Sequence, residues 1–283
     1  MEKQEKINSI DYILNVINNR DLKDICVNQT LKLTTSIKIG FRVILYSKKW
    51  LIYLALAFLD LLIFYFEDGI NINFKHPDEE FIDIFFDILF PHIFVFGCLL
   101  ISLPISADEI SDHTLDMYLV RPIKREVYWV SRWIVVNISV YLVNVVIYFV
   151  HFLFFFAYAK NGPFTGLLSN IEIFGWIMIL LIPATLIYSG LFLLVGMIGN
   201  RGLILGLLLA LFDLIFVGLF FLDKNPYIPK PNLHEIANEI LSDHVNFRTP
   251  QEVTFTSAIW YSFFFALIVF VTGGFFLRIR EIK

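Results

Sequence analysis

Residues 127–159 read VYWVSRWIVVNISVYLVNVVIYFVHFLFFFAYA, and this run decides the class of the fold. Arg132 is its one charged residue apart from a lone His151. A hydrocarbon core about 30 Å thick is crossed by roughly 20 apolar residues. At 1.5 Å per residue this run would reach roughly 48 Å, so its first turns are expected to stand outside the hydrocarbon. Tyr128, Trp129 and Trp133 mark that boundary and read as an aromatic belt. Working outward, residues 50–66, 84–105, 173–198, 202–222 and 256–277 are apolar and long enough to join it. The expected fold is therefore all-α, a polytopic membrane protein with six transmembrane helices.

Composition agrees. Of the 283 residues, 58% are apolar and only 17% are Asp, Glu, Lys or Arg. A soluble domain is closer to 45–50% apolar and about 25% charged. That balance excludes a cytosolic enzyme, a disordered chain and a secreted disulfide scaffold. The 31 Phe against 5 Trp read as a lipid-facing bias, and a net charge of −4 speaks against nucleic acid as a partner. Cys26 and Cys98 have neither metal-site spacing nor a disulfide framework. The first thirty residues are charged and lack the apolar core of a signal peptide, so the spans themselves are expected to direct insertion.

Basic residues orient the spans. Seventeen of the 22 Lys and Arg fall on the side that holds both termini, and positive charge collects on the cytoplasmic face. Both termini are expected in the cytoplasm, with the chain multi-pass in the plasma membrane. Residues 1–49 form a cytoplasmic arm and residues 50–283 the membrane domain. Within the arm, Leu33, Ile37, Phe41 and Ile44 share one helical face while Lys38, Arg42 and Lys49 lie on another. This is the pattern of an amphipathic helix at the headgroup plane, either a plain anchor or a regulatory element. Residues 223–255 make the long extracellular loop, and Gly199-Asn200-Arg201-Gly202 a tight hairpin on the cytoplasmic side.

The cytoplasmic loop 106–127 carries the functional signal. Ser106 and Glu109 have the S-x-x-E spacing of a capping box, which predicts a helix beginning there, and Pro122 ends it. Asp108, Asp112 and Asp116 form an acidic stripe on this helix, followed by Arg121, Lys124 and Arg125. A short charged post held between two long membrane helices is suited to passing on a push from a cytoplasmic partner. The bland reading is a solvated interfacial helix with no partner.

The same loop resembles the hallmark loop of ABC-2 type transporter permeases. Glu109, Thr114-Leu115, Leu119-Val120, Pro122, Arg125 and Arg132 occupy the places of that family's acidic residue, Thr-Leu pair, apolar stretch, proline and basic residues. His113 stands where the family often has Gly, and Arg132 where it usually has Lys. The resemblance implies an ABC-2 permease-like fold with an interfacial helix before the first span. It implies that Asp108, Glu109, Asp112, Thr114, Leu115, Pro122 and Arg125 belong to a coupling helix seated on a separate ATPase. It also implies a second permease chain, identical or related. No G-x-x-x-x-G-K-[ST] phosphate loop occurs, so ATP and Mg would be bound by the partner subunits and this chain would be no enzyme.

Polar residues inside the spans complete the candidate list. Asp60 and Asp213 sit within the first and fifth spans, where an ionised Asp costs roughly 2.5–3.5 kcal/mol at the bilayer centre. Gly202, Gly206 and Ala210 form a small-residue row beside Asp213, read as a helix–helix contact and one suited to pairing two copies. Asn137, Tyr141, Asn144, Tyr148 and His151 form a single polar stripe on the third span. These residues either line a translocation path or make structural hydrogen bonds. The expected function is the permease half of an ATP-driven exporter of unidentified substrate. A passive channel or a membrane scaffold is the alternative.

Overall fold

The structure is a computed structural model and describes residues 32–67, 81–82, 85–111, 124–157, 170–212, 233, 236, 239 and 254–279. All regular structure among the described residues is helical. Among the described residues, four helical stretches are long and apolar enough to cross a membrane, His92–Ile110, Arg125–Phe156, Ile171–Gly196 and Phe255–Ile279, which identifies a membrane protein.

In chain order, α1 covers 32–47 and α2 is Lys49–Glu67. A π-helical segment, Phe85–Phe94, leads into α3, Val95–Ser111. Then come α4, Arg125–Ala157, and α5, Ile171–Gly196. The last two are α6, Asn200–Leu211, and α7, Phe255–Ile279. α2 stands where the first span was expected, and α6 where the fifth begins. The remainder of the fifth, with Asp213, lies outside the described residues.

Local chemistry explains the breaks. Pro91 has no N–H to donate, and the chain around it is a π-helix. Lys48 takes a left-handed φ of 54° and separates α1 from α2. Gly199, at φ 79°, turns α5 into α6, and its carbonyl accepts from the Gly202 N–H at 2.8 Å. Glycine is the residue that adopts this φ without a Cβ clash. The expected hairpin is thus present.

α5 sits at the centre of the bundle, buried along most of its length, with α3, α4, α6 and α7 packed on it. Phenylalanine fills much of the interior. Phe81, Phe85, Phe90, Phe94, Phe152 and Phe156 are all essentially buried, with Phe90 and Phe94 stacked at 5.2 Å. Other Phe side chains, such as Phe58, Phe263 and Phe275, face outward. The Phe excess therefore serves the core as well as the outer surface.

Three expectations are corrected. Ser106 starts no helix. α3 runs through it to Ser111, and its hydroxyl donates to the Leu193 carbonyl of α5 at 2.8 Å instead of capping. Trp129 and Tyr128 form no outward belt, because both are buried. Trp129 donates from Nε1 to the Phe270 carbonyl at 2.7 Å and packs on Gly273 of α7. The row Gly202, Gly206 and Ala210 is a helix–helix contact as read, but one made within the chain and not between two copies: Gly202 packs on the end of α5 and Gly206 receives Leu99 and Leu103 of α3, while Ala210 is buried.

Candidate functional site

The end of α3 and the start of α4, which flank residues 112–123, are clamped together. Glu109 lies in the last turn of α3, and Tyr128 and Arg132 in the first two turns of α4. Arg132 Nε donates to Glu109 Oε2 at 3.2 Å, and a second guanidinium nitrogen pairs with the other carboxylate oxygen. The Tyr128 hydroxyl donates to the same carboxylate, and the guanidinium lies over its ring at 5.1 Å. Glu109 and Arg132 are 6% and 2% exposed at their side chains, so this is a fully desolvated pair. Breaking such a pair by removing one partner costs about 3–5 kcal/mol.

Three further contacts reach out from the clamp. Asp108, next to Glu109 but half-exposed, pairs with Lys49 at the start of α2. Arg125 donates to the Leu277 and Arg278 carbonyls at 3.1 and 2.9 Å, capping the end of α7. Ser131 donates to the Tyr128 carbonyl, which leaves Ser36 of α1 to donate to Ser131 at 2.6 Å. The two flanks of the loop are thereby tied to each other, to α1, α2 and α7. Asp112, Thr114, Leu115 and Pro122 lie outside the described residues.

α1 runs lengthwise beside α4. Ser36 meets Ser131 and Gly40 meets Arg132 and Val135. Its buried face is the row Ser36, Gly40 and Ile44, the first two of them small, with Ile37 and Phe41 half-buried beside it and Lys38 and Arg42 exposed. Amphipathicity was legible in the sequence. The Ser/Gly seam was not, because small residues carry no hydrophobic signal; their four-residue spacing was the available clue.

The polar stripe of α4 divides between two neighbours. Asn137 donates to the Trp133 carbonyl and accepts from Ser189 of α5 at 2.8 Å. Asn144 donates to the Val140 carbonyl and accepts from Tyr53 of α2 at 2.5 Å. The Tyr53 ring is seated on Gly97 of α3, where any larger residue would collide with it. Both Asn side chains are buried and engaged between helices. Asp60 and His151 come together across α2 and α4, with Asp60 Oδ2 at 3.8 Å from His151 Nε2. Among the described residues no cluster of His, Cys, Asp and Glu could hold a metal ion.

The chain matches no family model, no curated protein and no solved structure.

Proposed function

We propose that this chain is a permease subunit of an ABC-2 type exporter, with six spans and both termini in the cytoplasm of a plasma-membrane assembly. Two permease chains and two ATPase subunits would make the complete pump. ATP and Mg would sit on the ATPases, and the substrate would cross along the permease pair. The resemblance of loop 106–127 to that family's coupling loop supplies the idea.

The observation that carries it is the Glu109–Arg132–Tyr128 clamp at the mouth of that loop. A displacement of the loop cannot move α3 alone. It enters α3 and α4 together, reaches α2 through Asp108 and Lys49, and reaches α7 through Arg125. A solvated loop without a partner has no need of a desolvated ion pair at its root, which costs several kcal/mol per ion to bury before it is repaid.

The experiment is copurification from native membranes in mild detergent. The expected companion is a subunit that photolabels with azido-ATP. Asp108→Lys and Pro122→Ala are expected to release it while membrane insertion persists. Glu109 is a poor probe here, because its replacement disturbs the clamp itself. A chain that purifies without any ATP-binding companion, or one whose complex ignores both substitutions, would overturn the proposal.

A further inference from the structure

Two hollows of about 370 and 330 Å³ lie against α2 and α4. Leu54 and Val146 line both, so they are two parts of one groove. The first part is walled by α2 and α4 and ends at His151. The second continues past the elbow at Lys48 and adds Phe41, Ile44 and Leu45 of α1. Ser139 and His151 are the two polar members of the wall, and both are buried. Leu45, Phe58, Leu142 and Val146 at the rim are exposed, so the groove opens sideways, toward lipid in a membrane. Along its length it offers an occupant apolar contact, which suits an acyl chain.

Its length is that of one leaflet. From Trp50 to Leu61 the groove follows α2 for about 16 Å. Half of a hydrocarbon core is about 15 Å thick. With the His151 end at the midplane, the elbow falls at the hydrocarbon boundary. Trp50 stands at that level, its indole donating to the Leu45 carbonyl at 3.3 Å, and tryptophan collects at such boundaries.

Beyond the elbow the surface is one-sidedly basic. α1 runs on along α4, away from His151, with Gly40 against Val135 and Ser36 against Ser131. Lys38, Phe41 and Leu45 recur at helical spacing, so Lys38 prolongs the stripe that lines the groove, and Arg42 lies one turn from both Lys38 and Leu45. Arg42 stands about 4–5 Å and Lys38 about 10 Å past Leu45 along the helix. The headgroup layer adds about 5–8 Å on each side of the core, and a lysine stem is long enough to reach back into it. Lys48 at the elbow is exposed and holds a φ of 54° that glycine would take at less cost, so the corner carries a further positive charge in place of the easier residue. Residues 25–59 contain five basic residues and no acidic one. Lys49 reaches across to Asp108, whereas among the described residues Lys38, Arg42 and Lys48 make no ion pair.

A leaflet-long apolar groove thus opens at its outer end onto exposed cations. The occupant that complements both is a lipid with net negative charge, since the ammonium of a zwitterionic headgroup offsets its own phosphate. We infer that the groove binds an anionic phospholipid, one acyl chain lying from Leu45 to Val150 and the phosphate held by Lys38 and Arg42. The assignment holds whether or not the chain has an ATPase companion.

The test uses the full-length protein in phosphatidylcholine nanodiscs, doped with phosphatidylglycerol or phosphatidylcholine that carries a diazirine on one acyl chain. Label from the phosphatidylglycerol probe is expected on the peptides carrying Leu54 to Leu61 and Leu142 to Val150. It should exceed label from the phosphatidylcholine probe at least about fivefold, the gain expected from one basic side chain at an anionic headgroup. Lys38→Gln combined with Arg42→Gln should abolish that preference and leave the weaker phosphatidylcholine label in place. Val146→Trp, at an exposed rim position that lines both hollows, should fill the groove and remove label from either probe. Size-exclusion and circular dichroism confirm that the variants fold. Equal label from the two probes would overturn the assignment, as would a preference that survives loss of both cations. So would label spread evenly over outward residues such as Leu203 and Ile268, or a groove left unlabelled because a second copy of the chain crosslinks across it.

Discussion

Arg132→Met tests the clamp directly. Methionine keeps much of the length of the arginine stem but removes the charge. It strands the Glu109 carboxylate in a site where that side chain is 6% exposed, with the Tyr128 hydroxyl still donating to it. The loss expected from such a stranded charge is about 3–5 kcal/mol. In a chain of this size that corresponds to a fall in Tm on the order of 10 °C. Glu109→Gln combined with Arg132→Met removes both charges and should recover at least about 2 kcal/mol of the loss, because the desolvation cost goes with them. The assay is thermal or denaturant unfolding of the purified protein in one detergent, followed by Trp fluorescence, for the wild type, both single variants and the double variant. Additive single and double effects would refute the reasoning. So would an Arg132→Met protein as stable as the parent.

The remaining predictions are smaller. Gly97→Val should destabilise by more than 1 kcal/mol or unseat α2, because the Tyr53 ring occupies the space of the new side chain; Tyr53 accessibility to a quencher would report it. Tyr53→Phe should cost about 1 kcal/mol through the lost bond to Asn144, measured by the same unfolding assay. Lys49→Ala should leave stability within about 1 kcal/mol, since its pair with Asp108 is solvent-exposed and screened by salt. Gly199→Ala should cost about 1–2 kcal/mol, because φ 79° is strained for any residue with a Cβ; its effect should appear as faster unfolding of the α5–α6 hairpin in hydrogen exchange.

Sequence periodicity and apolar run length located the described helices to within a few residues, save that α3 runs on through Ser106 to Ser111, because both quantities report directly on what a membrane will accept. The amphipathic arm was legible for the same reason. What the sequence could not convey was which partner satisfies each polar group. Ser106 and Glu109 have capping spacing, yet Ser106 is drawn to the Leu193 carbonyl and Glu109 to Arg132. Trp129 looks like an interface anchor by type, but the glycine at 273 offers it a seat inside. Arg132, the lone cation of the long run, entered only as a match to a family pattern. Its burial beside Glu109 depends on residues 23 positions apart in the chain and has no local signature.

The elbow at Lys48 has a geometric consequence. Ser36 pairs with a residue 95 positions away on α4, whereas Tyr53 pairs with one 91 positions away, as Asp60 does with His151. The chain therefore spends one extra helical turn's worth of residues, about four, between two stations on the same rod. Adding or removing one residue at that corner would rotate everything after it by about 100°. Tyr53 would leave its glycine seat and Asp60 would turn away from His151, with no residue of α2 itself altered. The corner thus sets the phase of the first membrane helix, and its length is as tightly specified as any side chain in the core.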